Sequence, residues 1–406
     1  MSLSFLAGLV LLLSRPVFAT EFFEVHTNAR ALGLGGAYSA LVDDAESLWY
    51  NPAGIARNGG LYWTIADPKV GASDIANAYT AFTELQDPAT FANALNGLYG
   101  EPVWLGGSAK SSFIMPYFAV AYFYDVDGSF LAENPVSPTF TTNYITDTGV
   151  ALGTGFSIGS ILQMGFATKY VTRTGDRVDW GAQTIADIIA GTSSPDLIFD
   201  TLSATKGTGY AFDMGLNLTI PLPVQPTISF VWKNIGNTKY RAGIGEDTPP
   251  TDYSDMSVGA SMLFDAWIVH FVPVLEVKHI EDGGQIGQKL HMGVELGLPF
   301  IDLRAGLHQG YYTAGLGLDL GILKIDAATW GVELGGYPGQ YESRRYMVQA
   351  TLSLGFDFGW GSGAGSGNSG SGGSSVGKAG SGAGGSSSSG GSRGGRGRVK
   401  GGKQRR

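Results

Sequence analysis

The chain has 406 residues, of which 43% are hydrophobic and only 15% charged, with a net charge of −9. It contains no cysteine, which excludes thiol catalysis, disulfides and cysteine metal sites together. Beyond the N-terminal segment no run reaches the roughly 18 to 20 uninterrupted apolar residues of a membrane-spanning helix, so a membrane location requires a barrel.

The first nineteen residues, "MSLSFLAGLVLLLSRPVFA", hold an apolar core from Phe5 to Leu13 and end in Val17-Phe18-Ala19, a small-x-Ala cleavage site before Thr20. They are expected to be a secretory signal peptide (1–19), although no Lys or Arg precedes the apolar core. Next comes "ARALGLGGAYSALVDDAESLWYNPAGIA", Ala29 to Ala56. Its glycine string, Gly33 to Gly36, is not G-x-G-x-x-G, follows no hydrophobic strand and precedes no Walker lysine, so a nucleotide cradle is excluded.

From about Leu61 to Trp360 the dominant period is two, the signature of strands. In "YMVQATLSLGFDFGW" Tyr346, Val348, Ala350, Leu352, Leu354, Phe356, Phe358 and Trp360 form an apolar face opposite Met347, Gln349, Thr351, Ser353, Gly355, Asp357 and Gly359. "YAFDMGLNLTI" and "KLHMGVELGL" alternate in the same way. The second face is rich in Gly, Ala, Ser and Thr with isolated charges, and lacks the Lys and Glu that coat soluble sheets. An all-β, transmembrane antiparallel barrel with apolar residues toward lipid is therefore expected, rather than a sandwich. Short connections ("PFI", "LGI", "FDA", "PLPVQP", "IGS") alternate with long ones, which places the long loops outside and both termini in the periplasm. Thirteen strands are evident from Leu61, and a short one around Val103 to Gly107 gives an even count of about fourteen. Helical stretches fall near 74–99 and 182–202, in loops on the long-loop side.

After Trp360 the composition turns to Gly and Ser, ending in "GGSRGGRGRVKGGKQRR". This stretch, 361–406, has eight basic residues and no acid, so it is expected to be a disordered cationic arm with a weak attraction to anionic periplasmic polymer and no natural nucleic-acid ligand.

"RALGLGGAYSALVDDAESLWYNPAGIA", ahead of such a barrel, resembles the N-terminal plug of the outer-membrane long-chain fatty-acid transporter superfamily (FadL type). That superfamily also takes in toluene-uptake channels and, more distantly, PorV-type barrels of a secretion shuttle. The local match, Arg30 to Ala56, is specific, whereas the rest of the chain matches in architecture only. The resemblance implies a plug or hatch (20–60) inside a fourteen-stranded barrel (61–360), with its Asn51-Pro52-Ala53 turn against the wall. The plug or gate residues would be Arg30, Gly33, Gly35, Gly36, Asp43, Asp44, Asn51, Pro52, Ala53 and Gly54. Small residues let the backbone approach the wall, and Asn-Pro favours a turn. Arg30, Asp43, Asp44 and Glu46 could pair with inward charges among Lys169, Arg173, Lys233, Lys289, Arg304, Asp213, Glu276, Glu295, Asp302, Asp319 and Asp326.

The implied function is an outer-membrane channel for small hydrophobic molecules, fatty acids or aromatic hydrocarbons. Capture would fall to loop aromatics Tyr79, Phe82, Phe91, Tyr99 and Trp104. The alternative is a non-transporting barrel, a structural scaffold or a PorV-like secretion shuttle. No catalytic constellation, metal site or cofactor motif is found, so the chain is read as a non-enzyme; His270, His291 and His308 have inward parity and read as lumen hydrogen-bonders. Ser353, Gly355, Phe358 and Trp360 have the spacing of a barrel assembly signal, although 46 residues follow. Expected partners are outer-membrane lipid and lipopolysaccharide, a hydrophobic ligand and the barrel-assembly machinery.

Overall fold

A computed structural model describes residues 24, 26–73, 83–243, 247–266 and 268–357. Its wall has fourteen strands, three of them interrupted. Strand β1 comprises Gly60–Ala66 and Lys69–Ala72; β2 is Val103–Met115, β3 Phe118–Glu133, β4 Thr139–Ile158, β5 Leu162–Trp180 and β6 Lys206–Thr219. Strand β7 comprises Thr227–Lys233 and Arg241–Ala242, and β8 comprises Asp255–Ser261 and Phe264–Ala266. The remainder are β9 Val269–Val277, β10 Leu290–Gly297, β11 Ile301–His308, β12 Tyr311–Asp319, β13 Leu323–Glu333 and β14 Glu342–Asp357. Every strand pairs antiparallel with its neighbours in sequence, and β14 pairs with both parts of β1, which closes the ring.

Side-chain parity decides which way the wall faces. On β14, Tyr346, Val348, Leu352 and Phe356 are exposed, while Arg345, Met347, Gln349 and Ser353 are buried. The same split holds on β6, where Tyr210, Phe212 and Leu218 are exposed and Asp213 and Asn217 are buried. Apolar outside and polar within is the arrangement of a barrel built for lipid.

Two expectations of the sequence are corrected. Val103 to Gly107 is not a separate short strand but the upper part of β2, which continues to Met115. Phe264 to Ala266 is not a turn: it pairs with Val269 to Phe271, so the reversal falls one step later, because the alternating pattern persists through it.

On the long-loop side, helices α3 (Phe91–Leu98) and α4 (Ala182–Ile189) lie within the stretches expected to be helical, and α5 (Asp196–Ala204) begins in the second and runs just past its end. Their apolar stripes form a separate core: Phe91, Leu95, Ile185, Ile188, Ile198 and Leu202 pack with Phe130, Phe140 and Trp180 from β3, β4 and β5. The extended ends of those strands therefore stand clear of the apolar band and carry a cap.

Candidate functional site: an inner segment locked to the barrel wall

Residues 28–58 are almost entirely buried and touch the inner face of the wall on many sides. They contain two short helices, α1 (Ala29–Gly33) and α2 (Ser47–Tyr50), and a 3₁₀ turn, Pro52–Arg57. Asn28 starts α1 by accepting from the Arg30 N–H (2.8 Å). Asn51 starts the 3₁₀ turn in the same way: its Oδ1 accepts from the Ala53 N–H (3.0 Å), and Pro52 supplies a preset φ at the first turn position.

The Gly-rich inner face of the wall now has a cause. A Cβ at Gly165 would sit 2.1 Å from Pro52 backbone atoms, one at Gly215 1.9 Å from Asn51 Oδ1, and one at Gly293 2.4 Å from the Leu34 carbonyl. The inner segment answers with small residues of its own. Gly35 has φ +70°, and a Cβ there would meet the Leu307 and Met292 carbonyls at 2.4 Å. At these points the interface is a backbone-to-backbone approach that side chains on either side would block.

Polar contacts fix the segment's position. Arg30 donates to both carboxylate oxygens of Glu295 (2.8 and 2.7 Å), and Arg304 donates to Glu295 (2.7 Å), Asp326 (2.7 Å) and Asp302 (2.9 Å). Glu276 accepts from the N–H groups of Tyr38 (2.8 Å) and Ser39 (3.1 Å). Asn51 donates to Ser39 O and Asn217 Oδ1, both at 2.8 Å. Lys110 pairs with Glu46 (3.2 Å) and stands 4.1 Å over the Trp49 ring. His291 Nδ1 donates to the Gly35 carbonyl (2.8 Å), Thr313 to the Gly33 carbonyl (3.0 Å), and the Ala29 N–H to Gln349 (2.9 Å).

Of the wall charges foreseen as partners, Glu295 and Glu276 meet the segment directly, Arg304 meets it through Glu295, and Lys233 faces the Tyr50 ring. Lys169 pairs with Asp213 and Arg173 with Asp147 and Asp252, so these ties lie within the wall and its loops. Asp319 accepts from Gly321 in a turn, and Lys289 donates to the Asp282 carbonyl. Lys110, Asn217, Gln349 and Thr313 went unforeseen; each is a single polar residue at inward parity, and parity alone does not say which of many such residues finds a partner.

Asp43 and Asp44 are adjacent and only half buried. Burial and the neighbouring Asp43 charge together push the Asp44 carboxyl up to about 6. Burial also raises the Glu46 carboxyl, against the pull of Lys110. Two of the three histidines behave as lumen hydrogen-bonders: His291 as described, and His308, whose Nδ1 donates to the Gly331 carbonyl (3.0 Å). His270 does not, because its buried Nε2 has no partner among the described residues. No group of three or more His, Asp or Glu placed to hold a metal ion occurs among the described residues.

The aromatics expected to capture ligand are not brought together. Tyr79 and Phe82 lie outside the described residues. Phe91 is fully buried in the helical cap. Trp104 is buried in the wall, where its Nε1 donates to Asp127 (2.8 Å) and its ring meets Trp330 edge-on. Of the three that are described, Tyr99 alone borders open space, a cleft of about 390 Å³ shared with Gly100, Glu133, Asn134, Pro135 and Tyr341. Ser353 is buried and Gly355 lies under the Tyr62 ring, whereas Phe358 and Trp360 fall outside the described residues.

No family model and no curated protein matches the sequence. Among solved structures, the Ralstonia pickettii toluene transporter TbuX is similar, at 10% identity and TM-score 0.44, over 82% of this chain and 99% of that one. So is the Pseudomonas putida toluene transporter TodX, at 10% identity and TM-score 0.44 over 84% of this chain and 100% of that one. A Pseudomonas aeruginosa FadL homologue is similar at 12% identity and TM-score 0.36, over 84% and 100%. The fourteen-stranded wall with its polar interior rests on the strand pairings and burial described above.

Proposed function

We propose that this chain is an outer-membrane channel for small hydrophobic molecules, of the fatty-acid or aromatic-hydrocarbon class. Its inner segment is the gate, the helical cap faces outward and both termini face the periplasm. The observation that carries the reading is the nature of the segment's seat. It meets the wall through backbone contacts between small residues and through polar side chains, beside an apolar cluster in which Leu34, Tyr38, Val42, Leu48, Trp49 and Ile55 pack with wall residues such as Phe123, Val171 and Val274. Hydrogen bonds of that kind exchange with water at a net cost of about 0.5–1.5 kcal/mol each, so the polar part of the seat can be rearranged more readily than the apolar part.

A specific feature favours the alternative of a sealed scaffold or secretion shuttle. The buried Arg30–Glu295–Arg304 cluster would cost about 3–5 kcal/mol to break if it left a charge unpaired. One experiment separates the two. Ser39 Oγ and Ser229 Oγ lie 2.8 Å apart, and the chain has no cysteine, so Ser39→Cys with Ser229→Cys offers a clean lock between segment and wall. In proteoliposomes, saturable uptake of a labelled fatty acid or toluene should be lost in the oxidised double variant and return on reduction. Absence of saturable uptake in the unaltered protein would favour the sealed barrel; uptake indifferent to the lock would remove the segment as gate.

A further inference from the structure

The outer surface of β5, β6 and β7 carries a group of cations that the channel reading leaves unused. Strand register places them. Tyr170 lies opposite Tyr210, Thr172 opposite Thr208 and Thr174 opposite Lys206, while Thr208 lies opposite Arg241 on its other side. Directly opposed residues in an antiparallel pair share a face. Tyr170, Tyr210 and Phe212 are exposed on the lipid side, so Lys206 and Arg241 project there as well. Lys239 is exposed between the buried Thr238 and Tyr240, which sets it on the same side of its segment as Arg241.

Height on the wall is the second observation. From Ile220, just past the end of β6, to Tyr210 the chain climbs roughly 33 Å, or about 25 Å along the membrane normal at the usual barrel tilt. That span matches the apolar band, and the tilted Tyr170–Tyr210 ring pair, with centroids 5.1 Å apart, marks its upper border. Lys206 lies four residues further along β6, roughly 10 Å higher by the same arithmetic. This is headgroup depth.

The third observation is the lack of countercharge. Arg344, at a comparable border on β14 beside Tyr312, is paired with Glu342 and stacked on the Tyr312 ring. Among the described residues Lys206, Lys239 and Arg241 have no ion pair. Asp176, one step beyond Thr174 on the same face of β5, accepts instead from the Arg177 N–H (2.7 Å). Cations left unpaired at headgroup depth beside exposed tyrosines suit an anion anchored in the bilayer.

We infer that Lys206, Lys239 and Arg241 form a binding site for a phosphorylated glycolipid of the outer leaflet, whose headgroup phosphates they engage while its chains lie along the Tyr170, Tyr210 and Phe212 surface. The assignment to the outer leaflet rests on the orientation proposed above; the contact chemistry does not. The full chain in detergent is titrated with diphosphorylated lipid A and with its dephosphorylated counterpart, and bound lipid is counted by native mass spectrometry. At about fivefold per cation near an anionic surface, replacing all three (Lys206→Gln, Lys239→Gln, Arg241→Gln) should weaken lipid A binding by on the order of 100-fold. Each single variant should show its own share, which keeps the test valid should the triple variant fold poorly. Arg344→Gln, from the paired border, should change little. Equal binding by the triple variant, equal loss in Arg344→Gln, no preference for the phosphorylated lipid, or equally tight binding of inorganic phosphate would each overturn the site. Labelling a cysteine placed at the exposed Val136 on intact cells tests the orientation separately, and hydrocarbon uptake by the triple variant tests the channel separately.

Discussion

The ion cluster between inner segment and wall permits a graded test of their coupling, because its members are unequally supplied with partners. Glu295 receives two hydrogen bonds from Arg30 and one from Arg304, all at 2.7–2.8 Å and all buried. Arg304 has Asp326 and Asp302 in addition, whereas the Arg30 guanidinium otherwise reaches only the Tyr38 hydroxyl (3.2 Å) among the described residues. Glu295→Ala therefore strands the Arg30 charge in a dry site, at about 3–5 kcal/mol. Arg30→Ala leaves Glu295 a share of Arg304, which also serves Asp302 and Asp326, but a carboxylate can take up a proton where a guanidinium cannot shed one, so the loss is about 1.5–3 kcal/mol. Once Arg30 is gone, Glu295→Ala no longer strands it, so the double variant should cost about 1.5–3 kcal/mol less than the sum of the singles. Urea unfolding in micelles, followed by tryptophan fluorescence and by the gel mobility of the folded barrel, measures all three. Equal costs for the single variants, adding fully in the double, would refute this account.

Asn51→Ala removes two donated hydrogen bonds at 2.8 Å and the accepted bond from Ala53, so it should cost about 2–3 kcal/mol and speed proteolysis within residues 34–46; unchanged cleavage would count against the seat described. Gly35→Val needs a left-handed backbone and drives a side chain into two wall carbonyls, so hydrogen exchange should rise over residues 29–39 while the wall stays protected; a silent variant contradicts the close approach. Because the folded Asp44 carboxyl titrates near 6, above its ordinary range, its destabilising effect is complete above that pH and is relieved as pH falls from about 7 toward 4. Asp44→Asn should flatten the denaturant midpoint over that window, and parallel profiles for the two proteins would exclude the assignment. Deleting 361–406, with its eight basic residues, should leave the barrel's heat resistance unchanged and abolish salt-sensitive retention on purified cell wall; retention that survives the deletion sinks the tether.

Strand β14 was legible residue by residue because its two faces meet solvents of opposite character, so alternation from Tyr346 to Phe356 is a direct record of orientation. Strand β7 was not. At residues 234–240 the chain leaves the ladder through Asn234 (φ 50°), Gly236 (φ 81°) and Asn237 (φ 66°) and tucks the Tyr240 ring 4.4 Å under the Arg173 guanidinium. That is a tertiary contact, and periodicity carries no trace of it. In the inner segment, Arg30, Gly35 and Asn51 were readable from their motif, while Lys110 and Gln349 became partners only through where β2 and β14 happen to stand. Phe91 was offered as a capture residue and is core instead: an amphipathic helix over a strand extension must bury its own stripe first, and an aromatic in that stripe looks the same in sequence either way.

The seam between β14 and β1 bears on the order in which this molecule can be made. Gly60 pairs with Asp357, so the first and last strands of the described chain are the ones that shut the ring. The segment that finishes innermost precedes every strand, yet its seat is divided among β2 to β14, none of which exists when it is synthesised. Until β14 arrives, β1 presents an unpaired edge and the seat lies open, the condition under which strands recruit the wrong neighbour. Enclosure and closure must then occur as one late event. A lesion in the seam would be felt first as a failure of biogenesis, with chain accumulating as an unsealed sheet, and only afterwards as a change in any barrel that had closed.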